Sequence, residues 1–129
     1  MKYLESLGHV HRDVSARNCI AYTGNGQLRI KITDIASLLS AHQTEYCNGV
    51  ALRWCSPEAL VAGHFSTKSD VYSFGVTLWE ILTYCLVRPH HEMDDEAVLA
   101  KVFAAYESFT EGQNVSFLLS ISLFLFLFD

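Results

Sequence analysis

The chain has 129 residues, half of them apolar and 18% charged, which suits one domain with a real core and excludes a disordered segment. A formal net charge of -5 argues against a general nucleic-acid surface. The cysteines Cys19, Cys47, Cys55 and Cys85 form no C-x-x-C pair and stand at no zinc-finger spacing from a histidine pair; this scatter points to a reducing compartment.

In chain order, "MKYLESLG" (1–8) reads as the end of a helix stopped at Gly8, with no basic-then-apolar signal peptide. A polar loop, "HVHRDVSARN" (9–18), follows. "CIAY" (19–22) and "LRIKIT" (28–33) flank the turn residues "TGNGQ" (23–27), which predicts a β-hairpin. From Asp34 to about Cys55 no periodicity survives, so a long irregular loop is expected, of the kind that is functional or mobile. "SPEALVAG" (56–63) predicts a short helix with Pro57 near its start and Gly63 as its stop. "TKSDVYSFGVTLWEILT" (67–83) predicts a longer one, with Thr67 and Asp70 at capping-box spacing. Val71, Phe74, Leu78, Trp79, Ile81 and Leu82 cover most of its circumference, which predicts burial. The run is too short for a membrane span and contains Glu80. "DDEAVLAKVF" (94–103) is amphipathic. Asp94 and Asp95 suit its positive end, and Val98, Leu99, Val102 and Phe103 make one face.

Composition then breaks. "VSFLLSISLFLFLFD" (115–129) carries no charge before Asp129, has no polar face and falls short of the roughly 20 residues of a spanning helix. Residues 113–129 read as a divergent apolar tail, foremost a translated non-coding stretch and secondly a membrane or partner anchor. Exposed, such a tail would promote aggregation.

The chemistry concentrates in residues 11–34. Asn18 and, across the hairpin, Asp34 offer two oxygen ligands suited to a hard divalent cation such as magnesium. Asp13 remains to accept a hydroxyl proton. That set suits phosphoryl transfer, in which the protein positions groups and neutralises charge. Taken alone, Asp13 and Asn18 are better read as ordinary loop-capping residues, since both types favour turns. His90 and His91 beside Glu92 read as a solvated loop, because adjacent side chains diverge, and His9, His42 and His64 have no partner at ligand spacing.

"HRDVSARN" (11–18) resembles the H-R-D-x-x-x-x-N catalytic loop of protein kinases. Asp34 falls where the family's D-F-G aspartate follows the hairpin. "SPE" (56–58) falls at its A-P-E, and "SDVYSFGVTLWE" (69–80) resembles the central buried helix of its C-terminal lobe. Ser15 in place of lysine and the "ARN" ending resemble the tyrosine kinases, as does "LRWCSPE" (52–58) with Trp54. "GVTLWEILTYCLVRPHHEMDDEAV" (75–98) is most similar to the discoidin domain receptor branch of receptor tyrosine kinases.

The resemblance implies an α+β, mainly helical fold: an incomplete protein-kinase-like C-terminal lobe over residues 1–112 with one small hairpin. It implies Asp13 as the base, Arg17 positioning the tyrosine, Asn18 and Asp34 holding magnesium, and Ile20 beneath the adenine of ATP. It places His11 and Ile35 in an apolar supporting column and makes Asp70 an acceptor for the catalytic-loop backbone. Glu58 becomes one half of an ion pair whose arginine has no candidate past residue 112. Tyr46 becomes a phosphorylation site whose phosphate would pair with Arg12. ATP and magnesium would be the cofactors, protein tyrosines the substrates, and a receptor dimer on the cytoplasmic side of the plasma membrane the parent assembly. No nucleic-acid partner and no membrane span are expected in this chain, and the fragment itself would be cytoplasmic.

Four departures qualify this. D-F-G reads "DIA" (34–36), where Ile35 fills less space than Phe and Ala36 lacks glycine's backbone freedom. Ala51 replaces the usual proline. There is no G-x-G-x-x-G loop, since "GNG" (24–26) lies in the hairpin turn, and no V-A-I-K lysine or partnering helix glutamate. Beyond residue 112 nothing resembles the lobe's last helices, so apolar faces of the 67–83 helix should stay uncovered. The 129 residues alone are therefore expected to be inactive. The alternatives are a pseudokinase-like interaction module and a truncated product without a catalytic role.

Overall fold

A computed structural model describes residues 2–33 and 50–110, with side chains through residue 107. Its elements are α1 (Lys2–Ser6), β1 (Cys19–Gly24), β2 (Gln27–Ile32), α2 (Pro57–Ala62), α3 (Thr67–Leu82) and α4 (Asp95–Thr110). Single 3-10 turns lie at Ala16–Asn18 and Leu52–Trp54. The fold is mainly helical with one antiparallel hairpin, as the pattern predicts.

The hairpin is tighter than its five turn residues suggest. Pairing runs from Cys19↔Ile32 to Gly24↔Gln27, leaving a two-residue turn. Asn25 and Gly26 both have positive φ, 52° and 74°, the geometry of the turns whose twist suits a hairpin. At the base of the hairpin, Thr33 ties the returning strand to the loop. Its amide donates to the Asn18 carbonyl at 2.8 Å and its hydroxyl at 3.2 Å.

The irregular segment expected up to Cys55 ends differently from its pattern. Residues 51–57 are buried and include the 3-10 turn. A three-residue turn is too short to show a period, so tertiary burial decides its place. Leu52 packs with Val98 and Val102 of α4, joined by Leu60, Met93 and Leu99. Trp54 packs with Ala51 and Val76, joined by Tyr72. α2 begins on Pro57 and stops at Gly63, whose left-handed φ of 65° turns the chain out of the helix.

α3 departs from its reading twice. Its capping box is Ser66 with Ser69, one residue earlier than the Thr67–Asp70 spacing. The Ser66 side chain accepts from the Ser69 amide at 3.3 Å, and the Ser69 hydroxyl accepts from the Ser66 amide at 2.9 Å. The inward face is also largely polar: Ser69, Asp70, Ser73, Val76, Thr77 and Glu80. Ser73 donates to the Trp54 carbonyl at 2.7 Å, and Thr77 to the Ser73 carbonyl at 2.8 Å, so these hydroxyls are satisfied inside. Val71 (57% exposed), Phe74, Leu78, Ile81 and Leu82 (66%) consequently face outward, contrary to the expected burial, while Trp79 is partly covered. The uncovered apolar face itself agrees with the missing-helix expectation.

α4 is capped by Asp94, whose Oδ1 accepts from the Ala97 amide at 2.7 Å. Val98 and Val102 form its buried seam; Phe103, placed on the same face by the pattern, is exposed because it lies a further rotation around the helix. Among the described residues no helix is long and apolar enough to cross a membrane.

Candidate active-site loop

The polar loop is built on α3. Asp70, 1% exposed, accepts from the His11 amide through Oδ2 at 2.7 Å and from the Arg12 amide through Oδ1 at 2.9 Å. A carboxylate meeting two amides offsets the cost of its burial and holds Arg12 at a φ of 69°, a conformation rare for a side-chain-bearing residue. The Arg12 guanidinium lies 5.4 Å from the Phe65 ring centroid. His11, fully buried, bonds at both ring nitrogens. Nδ1 accepts from the Asp13 amide at 3.2 Å and Nε2 lies 3.0 Å from the Thr33 carbonyl, so the tautomer with its proton on Nε2 satisfies both. His11 therefore acts through hydrogen bonds as well as packing.

This scaffold brings Asp13, Arg17 and Asn18 together. An Arg17 Nη2 donates to Asp13 Oδ1 at 2.6 Å, with both side chains largely buried. Asn18 Nδ2 donates to the Asp13 carbonyl at 2.8 Å. That bond fixes the orientation of the amide. Oxygen donors fit magnesium, and Thr33, the residue before Asp34, is bonded to Asn18. Asp34, Ile35, Ala36 and Tyr46 lie outside the described residues. Ile20 stands on β1 with about half its surface open (54%). Glu58 is partly buried in the first turn of α2, where its carbonyl accepts from the His64 amide at 3.2 Å. Among the described residues no group of three His, Cys, Asp or Glu side chains is placed to hold a metal. His91 and Glu92, 3.9 Å apart, are exposed.

Two buried charges escape sequence reasoning. Arg53 donates to Asp95 Oδ1 at 2.6 and 3.1 Å, and to the carbonyls of Pro89 (3.0 Å), His90 (2.6 Å) and Met93 (2.8 Å). It fastens the α3–α4 connection to the 3-10 turn, and nothing in "LRW" signals partners some 40 residues on. Glu80 Oε2 accepts from the Ala16 amide at 3.0 Å and from the Trp54 indole at 2.6 Å. A charged residue inside an apolar run was the only clue to it. The Arg17 guanidinium lies 4.5 Å from the Trp54 ring centroid.

Burial pushes the Cys55 thiol up to about 12 and raises the Tyr72 phenol. Cys19 and Cys85 are raised by burial and by the Glu80 charge. None of these favours a reactive thiolate. His90 is pushed down to about 4, by burial first and then by Lys101 and Arg53.

A loop seated on the buried polar face of a central helix, followed by a hairpin and preceding a helical body, defines an incomplete protein-kinase-like C-terminal lobe. The model of the family described as protein tyrosine and serine/threonine kinase matches residues 1–119. The chain belongs to that family, and the relatives it is similar to include discoidin domain receptors and other receptor tyrosine kinases. It is 41% identical over 104 residues to the discoidin domain-containing receptor tyrosine kinase B of Caenorhabditis elegans, covering 77% of this chain and 13% of that protein. It is 39% identical over 108 residues to the inactive tyrosine-protein kinase 7 of Homo sapiens (81% and 10%). It is 37% identical over 112 residues to the ephrin type-A receptor 8 of Rattus norvegicus (82% and 29%). The chain thus spans only a minor part of each of these relatives.

Proposed function

We propose that residues 1–112 are the catalytic-loop portion of a receptor tyrosine kinase domain, which in a complete parent transfers the γ-phosphate of ATP to a protein tyrosine. The observation that carries this reading is the 2.6 Å Asp13–Arg17 pair held beside an oriented Asn18. Asp13 accepts or orients the tyrosine hydroxyl proton as the phosphorus–oxygen bond forms. Arg17 holds Asp13 and the incoming phenol in place. Asn18, with Asp34, would hold magnesium, which when bound neutralises charge on the phosphates. Ile20 lines the adenine side. Tyr46 is the candidate activating phosphorylation site, with Arg12 as the partner of its phosphate, and Glu58 anchors the end of that segment. The relatives' description as receptors supports a dimeric parent with this domain on the cytoplasmic face of the plasma membrane.

The 129 residues contain neither the glycine-rich loop nor the V-A-I-K lysine, so by themselves they do not turn over ATP. Two assays test the reading. This chain with magnesium-ATP gives no phosphotransfer above its Asp13→Asn variant; turnover above that control would overturn the inactivity. In a complete parent domain Asp13→Asn lowers kcat by about 10²–10⁴-fold; an undiminished kcat would remove Asp13 from its role.

A second reading, a pseudokinase-like interaction module, is favoured by "DIA" at 34–36 and by similarity to a relative described as inactive. Magnesium-dependent nucleotide binding by the parent would separate the two.

A further inference from the structure

Glu80 is a buried carboxylate in the last turn of α3, 8% exposed, and a charge buried there is tolerated only when donors meet it. Its donors come from segments 64 and 26 residues away, the Ala16 amide and the Trp54 indole, and both reach the same oxygen. A well-packed apolar side chain would serve stability about as well as such an arrangement. What the carboxylate adds is direction. Ala16 lies between Asp13 and Arg17, so one bond fixes the backbone that carries the pair. The second bond fixes the rotation of the indole, whose main chain is already held by the Ser73 hydroxyl at 2.7 Å. The indole in turn presents its face to the Arg17 guanidinium at 4.5 Å, and Arg17 reaches Asp13 at 2.6 Å.

We propose that Glu80 and Trp54 are positioning residues that fix the Arg17 guanidinium against Asp13, with Glu80 as the common reference for both ends of the pair. The inference rests on the reading of Asp13 and Arg17 as the catalytic pair. It adds that the geometry of that pair is set from α3 through an aromatic platform in the 50–56 segment. A long arginine side chain otherwise has many rotamers, and stacking leaves it few.

The test is the order of the Arg17 side chain, read by NMR in the 129-residue chain without nucleotide. The Arg17 side-chain N–H signals, assigned by their loss in Arg17→Lys, should be protected from water exchange. Glu80→Gln keeps an acceptor and should keep that protection. Glu80→Met removes the acceptor, and Trp54→Phe keeps an aromatic face while removing the indole donor; both should lose the protection while far-ultraviolet circular dichroism keeps the α3 helix. A purely structural role would lower stability in these variants and leave Arg17 protected, and that result overturns the proposal. Should Glu80→Met fail to fold, Trp54→Phe decides alone. The readout needs no turnover. Unchanged Arg17 signals would remove this coupling and leave the Asp13 assignment standing, whereas an active Asp13→Asn parent would do the reverse.

Discussion

His90 shows how one residue ties this fold to pH. It sits at a φ of 53° in the α3–α4 connection, partly buried, with its carbonyl held by Arg53. Its folded pKa of about 4 lies below the ordinary 6.5, so between those values the unfolded chain binds more protons. The contribution to stability is complete above about pH 6.5 and is lost as pH falls toward 4. Discounted for partial exposure, it is of order 1–2 kcal/mol. Urea unfolding should show a steeper loss between pH 7 and 4.5 in the wild type than in His90→Asn, a substitution whose side chain tolerates positive φ. Parallel curves for the two proteins would exclude His90 as the source. At this scale the sequence was legible where spacing is short and local. Asp13 and Asn18, five apart, meet through one hydrogen bond. Arg53 was illegible because its partners lie on another element, and no local pattern encodes them.

The elements themselves were legible where turn chemistry and period speak together. "TGNGQ" marked the hairpin, and Pro57 and Gly63 bracketed α2. The inward face of α3 was not, because its apolar residues surround the helix and leave no preferred side. The choice fell to Ser69, Asp70, Ser73 and Glu80, whose partners lie on the loop, the 50–56 segment and the helix itself. Glycines separate the two kinds of constraint. Gly63 needs its left-handed φ, so Gly63→Ala should destabilise by about 1 kcal/mol. Gly75 lies inside α3, and a Cβ there would meet nothing within 4 Å. Gly75→Ala should therefore stabilise by about 0.5–1 kcal/mol through helix propensity alone. Denaturant midpoints moving in the same direction for both variants would refute this division.

For the whole molecule the leading feature is the uncovered side of α3, continued by Tyr84 (84% exposed) and Leu86 (82%) in the following turn. Apolar surface of this extent promotes association. Leu82→Glu with Leu86→Glu should reduce concentration-dependent light scattering while changing unfolding free energy by no more than about 0.5 kcal/mol per site. Scattering that persists undiminished would locate the sticky surface elsewhere. The uncovered side was legible as an expectation from the family resemblance and not from hydrophobic periodicity, which argued for burial. The expectations resting on Asp34, Tyr46 and the 113–129 tail fall outside the described residues.

Three adjacent residues in the 3-10 turn reach four parts of the fold. Leu52 enters the α4 cluster, Arg53 grips the α3–α4 connection, and Trp54 meets α3 and the catalytic loop. Such a junction has no private stability, because it cannot open without uncoupling all of these neighbours at once. A segment three residues long should thus exchange its amides only with the most protected part of the fold, and any displacement reaching it from residue 50 would be felt in α4 and at Asp13 together.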